Sequence, residues 1–121
     1  MSNILIVDDS LTMRQMVNFT LSSAGHAVTE AGDAEEAIAA ARNNRFDLVI
    51  SDVNMPGRSG IELVAELRTL AEYKFVPIIL LTTESQPEMK SKGRAAGATG
   101  WIVKPFDPEA LLGVLRKVLP A

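Results

Sequence analysis

Four apolar runs in this chain stop at a polar side chain. Residues 4–7 run into Asp8-Asp9, residues 48–50 into Ser51-Asp52, residues 78–81 into Thr82, and residues 100–103 into Lys104. Apart from Ser51, which leads into Asp52, the polar groups are three carboxylates, a hydroxyl and an ammonium. Carboxylates gathered in one place raise each other's pKa unless a cation sits among them. An all-oxygen donor set, without thiol or imidazole, suits Mg²⁺, Mn²⁺ or Ca²⁺. Two or three carboxylates with remaining waters fit Mg²⁺ best, and the acid-rich loop of a calcium hand is absent. A hydroxyl and a lysine beside one free carboxylate also describe a site that stabilises a transferring phosphoryl group, with aspartate as acceptor. Singly, each residue reads as an ordinary strand-end polar group, and Asp52 as a turn starter. Four such endings in one chain argue for chemistry.

The elements needed to bring these groups together are legible in the same way. The runs at 4–7, 48–50 and 78–81 are apolar throughout, as strands buried on both faces must be. A weaker run at 26–31 fits an edge strand, and 100–103 forms the last. Helical spacing follows each. Met13, Met16, Val17, Thr20, Leu21 and Ala24 form one stripe after the Ser10 cap, ended by Gly25. Asp33 and Glu36 read as a capping box in spirit, and Ser59 with Glu62 as another, ahead of Leu63, Val64, Leu67 and Leu70. Ser85, Pro87 and Glu88 start a helix weakened by Gly93. Asp107 and Pro108 open the last, with Leu111, Leu112, Leu115, Val118 and Leu119 on one face. Five strand–helix repeats imply an α/β, doubly wound parallel sheet, in which all strand ends point one way. Asp8, Asp9, Asp52, Thr82 and Lys104 then share one edge.

Bulk properties narrow the function classes. The chain has 121 residues, 47% hydrophobic and 22% charged, which is the size and balance of one globular domain. A net charge of −3 argues against nucleic-acid or anionic-membrane binding. With no cysteine and one histidine, neither a disulfide framework nor a zinc site is available. His26 alone reads as a loop residue. No apolar run approaches the length of a membrane span, and the first strand begins too early for a signal peptide, so a cytoplasmic protein is expected.

The motifs Asp8-Asp9, Asp52, Thr82 and Lys104-Pro105-Phe106, in this order, resemble the receiver domain of bacterial two-component response regulators. Asp8-Asp9-Ser10 with Thr12-Met13-Arg14, and residues 51–56, are most similar to its single-domain chemotaxis members. The likeness covers essentially residues 1–121 as one receiver without an output domain. It implies a flavodoxin-like, five-stranded sheet of order 2-1-3-4-5 with five helices. It implies that Asp52 is the phosphoacceptor and that Asp8, Asp9, Asp52 and the Asn54 backbone carbonyl hold Mg²⁺. Thr82 and Lys104 would contact the phosphoryl oxygens, and Thr82 with Trp101 would carry the switch. Trp101 departs from the tyrosine or phenylalanine usual there. Asn54 and Glu84 would flank the water that removes the phosphoryl group, and a cis peptide is expected before Pro105. The implied partners are a chemotaxis-type histidine kinase, a phosphatase, and a target such as the flagellar motor switch. That target would bind the fourth helix, last strand and fifth helix of a monomer.

A phosphate sink or relay without a motor target is the alternative role. An aspartate-nucleophile phosphatase needs a second aspartate where this chain has Asn54. A flavin- or nucleotide-binding module needs a phosphate-cradling loop where Asp8-Asp9 would repel phosphate. The expectation is therefore a switch that gains and loses a phosphoryl group and is not a turnover enzyme.

Overall fold

The computed structural model describes residues 2–55, 57–83, 87–104 and 107–119. Strands β1 (Asn3–Val7), β2 (Ala27–Ala31), β3 (Leu48–Asp52), β4 (Ile78–Thr82) and β5 (Gly100–Val103) alternate with five α-helices. These are α1 (Leu11–Ser23), α2 (Ala34–Asn43), α3 (Gly60–Leu67), α4 (Pro87–Ala96) and α5 (Pro108–Val118), with one 3₁₀ turn at Ala71–Tyr73. The sheet order is β2-β1-β3-β4-β5, and every neighbouring pair is parallel. This is the flavodoxin-like order expected. The chain steps from β1 outward to β2, then returns to β3 on the other side, so the strand order reverses between β1 and β3. Ligands in open α/β sheets bind at that reversal, beyond the carboxyl ends of the strands.

Two cores flank the sheet because side chains alternate between faces along each strand. On one side Ile4, Ile6, Ile50, Ile79 and Leu81 meet Val17 and Leu21 of α1 and Leu111 and Leu115 of α5. On the other, Leu5, Val7, Val49 and Leu80 meet Ala37 and Ile38 of α2 and Leu63, Val64 and Leu67 of α3. β1 past Asn3, and β3 and β4 along their whole length, are buried, whereas β2 is mostly exposed, which explains why the first three read as unbroken apolar runs and β2 does not.

Local chemistry sets the helix ends. Ser10 Oγ accepts from the Met13 N–H, and Ser59 with Glu62 forms a reciprocal capping box. At α2, Asp33 accepts from the Glu36 N–H, but the Glu36 carboxylate takes the Gly32 N–H instead of returning to Asp33. Gly25 ends the α1 segment at φ +93 and Gly97 follows α4 at φ +112, both in the region glycine tolerates best. The stripe on α1 is narrower than its spacing suggests. Val17 and Leu21 are buried, but Met16 is 51% exposed, because α1 meets the sheet along one line and Met16 lies to its side. His26 lies between the turn at residues 24–25 and β2, its N–H donating to the Leu21 carbonyl.

Candidate functional site

Parallel register carries three of the strand-end groups to one spot. Val7 pairs with Ser51, so Asp8 emerges beside Asp52; Asp52 pairs with Leu81, so Thr82 follows one residue on. Oxygens of Asp8, Asp9 and Asp52 lie within 4.8 Å of one another. Asp8, Asp52 and Thr82 are buried, and Asp9 is exposed. The Lys104 N–H donates to the Thr82 carbonyl at 2.7 Å, extending the β4–β5 pairing past Val103. Its side chain then turns inward: Nζ lies 3.2 Å from Asp8 Oδ2 and 3.1 Å from Asp52 Oδ1. The ammonium thus bridges the two buried acids.

Other groups hold these in place. The Ser10 N–H donates to Asp8 Oδ1 at 2.9 Å, and the Asn54 N–H reaches Asp52 Oδ1 at 3.4 Å. Ser51 Oγ donates to the Asp52 carbonyl at 2.9 Å. Gly60, first residue of α3, donates its N–H to the Val53 carbonyl, and a β-carbon there would stand 2.2 Å from the Asp52 carbonyl oxygen. The start of α3 therefore rests on the backbone of Asp52. The Ser59–Glu62 capping box is legible in the sequence, but this contact is not, since a glycine at a helix start signals nothing about what lies opposite.

Electrostatics at Asp52 are a contest. Burial raises its pKa most, the hydrogen bond from Lys104 pulls it down, and the Asp8 charge pushes it up again. The net direction is upward. Desolvation, with the Asp8 charge acting in the same direction, outweighs the neighbouring ammonium.

Of the expected site residues, Asp8, Asp9, Asp52, Thr82 and Lys104 meet at this edge. Asn54 contributes its N–H to Asp52 and has an exposed side chain. Trp101 does not join the cluster. It pairs with Leu80, two residues before Thr82, and its partly buried ring packs toward the α2–α3 core under Gly93 of α4. Glu84, Pro105 and Phe106, and with them the cis-peptide expectation, lie outside the described residues.

Residues 4–116 match the family described as the response regulator receiver domain. This chain belongs to that family. The receiver is 37% identical over 119 residues to Protein PilH of Pseudomonas aeruginosa, covering 98% of each chain. Among solved structures, chemotaxis protein CheY4 of Vibrio cholerae superimposes with a TM-score of 0.96 at 55% identity, covering 98% of this chain and 99% of that one. Response regulator TrrA of Thermotoga maritima, solved in complex with Mg²⁺ and BeF, gives a TM-score of 0.88 at 34% identity over 98% and 100%. The receiver is a signalling module of two-component type, similar to chemotaxis regulators and to PilH. Among the described residues, no helix is long and apolar enough to cross a membrane.

Proposed function

We propose that this receiver is a phosphoacceptor switch, in which Asp52 takes a phosphoryl group from a histidine kinase. The observation that carries this is the placement of the Asp52 carboxylate: buried, 3.1 Å from the Lys104 ammonium, and within 4.8 Å of two further acids. Transfer forms a bond between an Asp52 oxygen and phosphorus as the phosphorus–nitrogen bond of the donor imidazole breaks, and the electron pair leaves with that nitrogen. Lys104 then exchanges a carboxylate partner for a phosphoryl oxygen, and the Thr82 hydroxyl, at the adjacent strand end, takes another. Both are donors aimed where charge gathers in transfer.

The donor set fits Mg²⁺. Three carboxylates offer hard oxygen ligands, and exposed Asp9 leaves a wet side on which a reluctantly dehydrated ion can keep water. Asp8, Asp9, Asp52 and the Asn54 carbonyl would hold it. The ion would neutralise the acids and the incoming phosphoryl oxygens. Likeness to TrrA, which was solved with Mg²⁺ and BeF, supports this assignment.

The wider role follows the CheY4 likeness: a cytoplasmic monomer of one receiver domain, phosphorylated by a chemotaxis-type histidine kinase and emptied by Asn54- and Glu84-assisted hydrolysis or by a phosphatase. Its signal would pass from Thr82 and Trp101 to the α4–β5–α5 surface and a target such as the flagellar motor switch. A phosphate sink or relay without a motor target is the second reading, because the match along nearly the full chain is also to PilH and not to chemotaxis regulators alone. Neither reading makes the protein a turnover enzyme.

Intact-mass analysis after incubation with Mg²⁺ and a small acyl phosphate tests the central assignment. One phosphoryl adduct is expected on the wild-type chain and none on Asp52→Asn. An adduct that survives the substitution overturns the choice of Asp52. A pull-down comparing the beryllofluoride-bound and free forms, with a motor-switch protein as bait, separates the two roles.

A further inference from the structure

Arg14 stands at the end of the first turn of α1, four residues after the cap, and its N–H donates to the Ser10 carbonyl. A cation there opposes the helix dipole and gains nothing from local helix chemistry. Its side chain is 18% exposed, and the guanidinium is turned back toward the strand ends. Nη1 donates to the backbone carbonyl of Asp8 at 2.6 Å, while Nε pairs with Glu30 Oε1 on β2 at 3.1 Å. Asn18, one turn further along α1, donates to the other Glu30 oxygen at 2.7 Å. The fork passes beside Gly32, where a β-carbon would come within 3.3 Å of Nη1.

The Asp8 backbone is therefore held at both ends. Its N–H donates to the Ala31 carbonyl at 3.1 Å, and its carbonyl accepts from Arg14. The carbonyl lies in the same rigid plane as the Asp9 N–H and α-carbon. Holding it sets the direction from which the Asp9 side chain departs. We infer that Arg14 is a positioning residue for the acid pair, fixing the Asp8–Asp9 peptide so that the exposed Asp9 carboxylate converges with Asp8 and Asp52 on a cation. Glu30 balances the guanidinium charge, so that orientation is obtained without a net positive charge behind the metal. This rests on the Mg²⁺ reading of the site.

Orientation and charge predict opposite signs. Removing the Arg14 cation while Glu30 remains makes the region more negative, which by charge alone tightens cation binding. Losing the grip on the peptide loosens it. The experiment is calorimetric titration of the full chain with Mg²⁺ alone, at low and at high salt, alongside metal-free thermal unfolding. Arg14→Gln is expected to weaken Mg²⁺ binding about tenfold, the scale of groups that orient metal ligands, and to do so at both salt concentrations. Arg14→Lys, whose ammonium can still reach the carbonyl, is expected to recover part of the loss. Glu30→Gln should show a smaller loss that fades with salt. Unchanged or tighter binding by Arg14→Gln overturns the inference. Should that variant fail to fold, Arg14→Met, which keeps the apolar stem but donates nothing to the carbonyl, takes its place, and unchanged or tighter Mg²⁺ binding by it overturns the inference. A wild-type chain that binds no Mg²⁺ removes the metal reading itself; wild-type binding with an indifferent Arg14→Gln removes only the role of Arg14.

Discussion

At the scale of single residues, the site keeps a group that costs the fold stability. Asp52 is a buried acid whose pKa is raised chiefly by desolvation. A carboxyl with a folded-state pKa above its unfolded value favours the fold when protonated. That contribution is complete below the unfolded pKa and is lost as pH rises through the folded pKa. At neutral pH the ionised Asp52 therefore subtracts from stability. Metal-free Asp52→Asn is expected to unfold at higher denaturant concentration than wild type at neutral pH, with the advantage shrinking toward about pH 4, where the unfolded carboxyl protonates. Equal midpoints at neutral pH would refute this. Gly60 poses a comparable contest. Alanine in a helix gains about 1 kcal/mol over glycine. Here its β-carbon would stand 2.2 Å from the Asp52 carbonyl oxygen, where no flexible side chain can give way. Overpacking of this kind costs about 1–3 kcal/mol, so the clash should win. Gly60→Ala is expected to lower the unfolding free energy and to reduce phosphoryl uptake by moving Asp52.

At the scale of elements, the junction of α4 with β5 depends on a missing side chain. A β-carbon on Gly93 would lie 2.8 Å from Trp101 Cζ3 and 3.0 Å from Leu80 Cδ1. The indole occupies space that any other residue at 93 would claim, and a bulky ring in place of a smaller aromatic needs that space. The helix end is fixed separately. Arg68, at the end of α3, donates to the Gly97 carbonyl from Nε and Nη2, and to the Tyr73 and Val76 carbonyls from Nη1. It ties the loop before β4 to the loop before β5. With one end of α4 pinned, a crowded residue 93 must expel the ring or lift the helix. Gly93→Ala is expected to raise acrylamide quenching of Trp101 fluorescence and red-shift its emission, despite alanine's better helix propensity. Unaltered quenching would mean that the ring does not depend on the glycine.

At the scale of the molecule, the receiver is a sheet whose carboxyl edge stores repulsion that a cation can relieve. The Asp8, Asp9 and Asp52 oxygens converge, and Lys104 offsets two of them. A ligand that binds only the folded state stabilises it by mass action, about 2.7 kcal/mol at a hundred times its Kd. For a domain of this size that is about 10 °C in Tm. Scanning calorimetry with saturating Mg²⁺ should show a rise of that order for wild type. Asp9→Asn should lose most of the rise while being no less stable than wild type without metal, since one of the repelling charges is gone. A full Mg²⁺-dependent rise in Asp9→Asn would exclude Asp9 from the metal site.

Composition and periodicity were enough to determine the layer architecture, the strand ends and the set of groups placed there. A strand buried on both faces must be apolar throughout, so Asp8, Asp52 and Thr82 stood out against β1, β3 and β4 as abrupt changes of chemistry. The strand order came from resemblance, because parallel strands of similar composition do not announce their neighbours. Only the tertiary structure decided contacts between residues far apart in the chain. Lys104 lies between Asp8 and Asp52, Arg14 holds the Asp8 carbonyl, Gly60 rests on the Asp52 backbone, and Gly93 makes room for Trp101. The physical reason is common to the last three. Periodicity reports which face of an element is apolar. A backbone carbonyl that accepts a hydrogen bond, or a glycine that admits a neighbour, leaves no trace in that pattern until the elements are packed together.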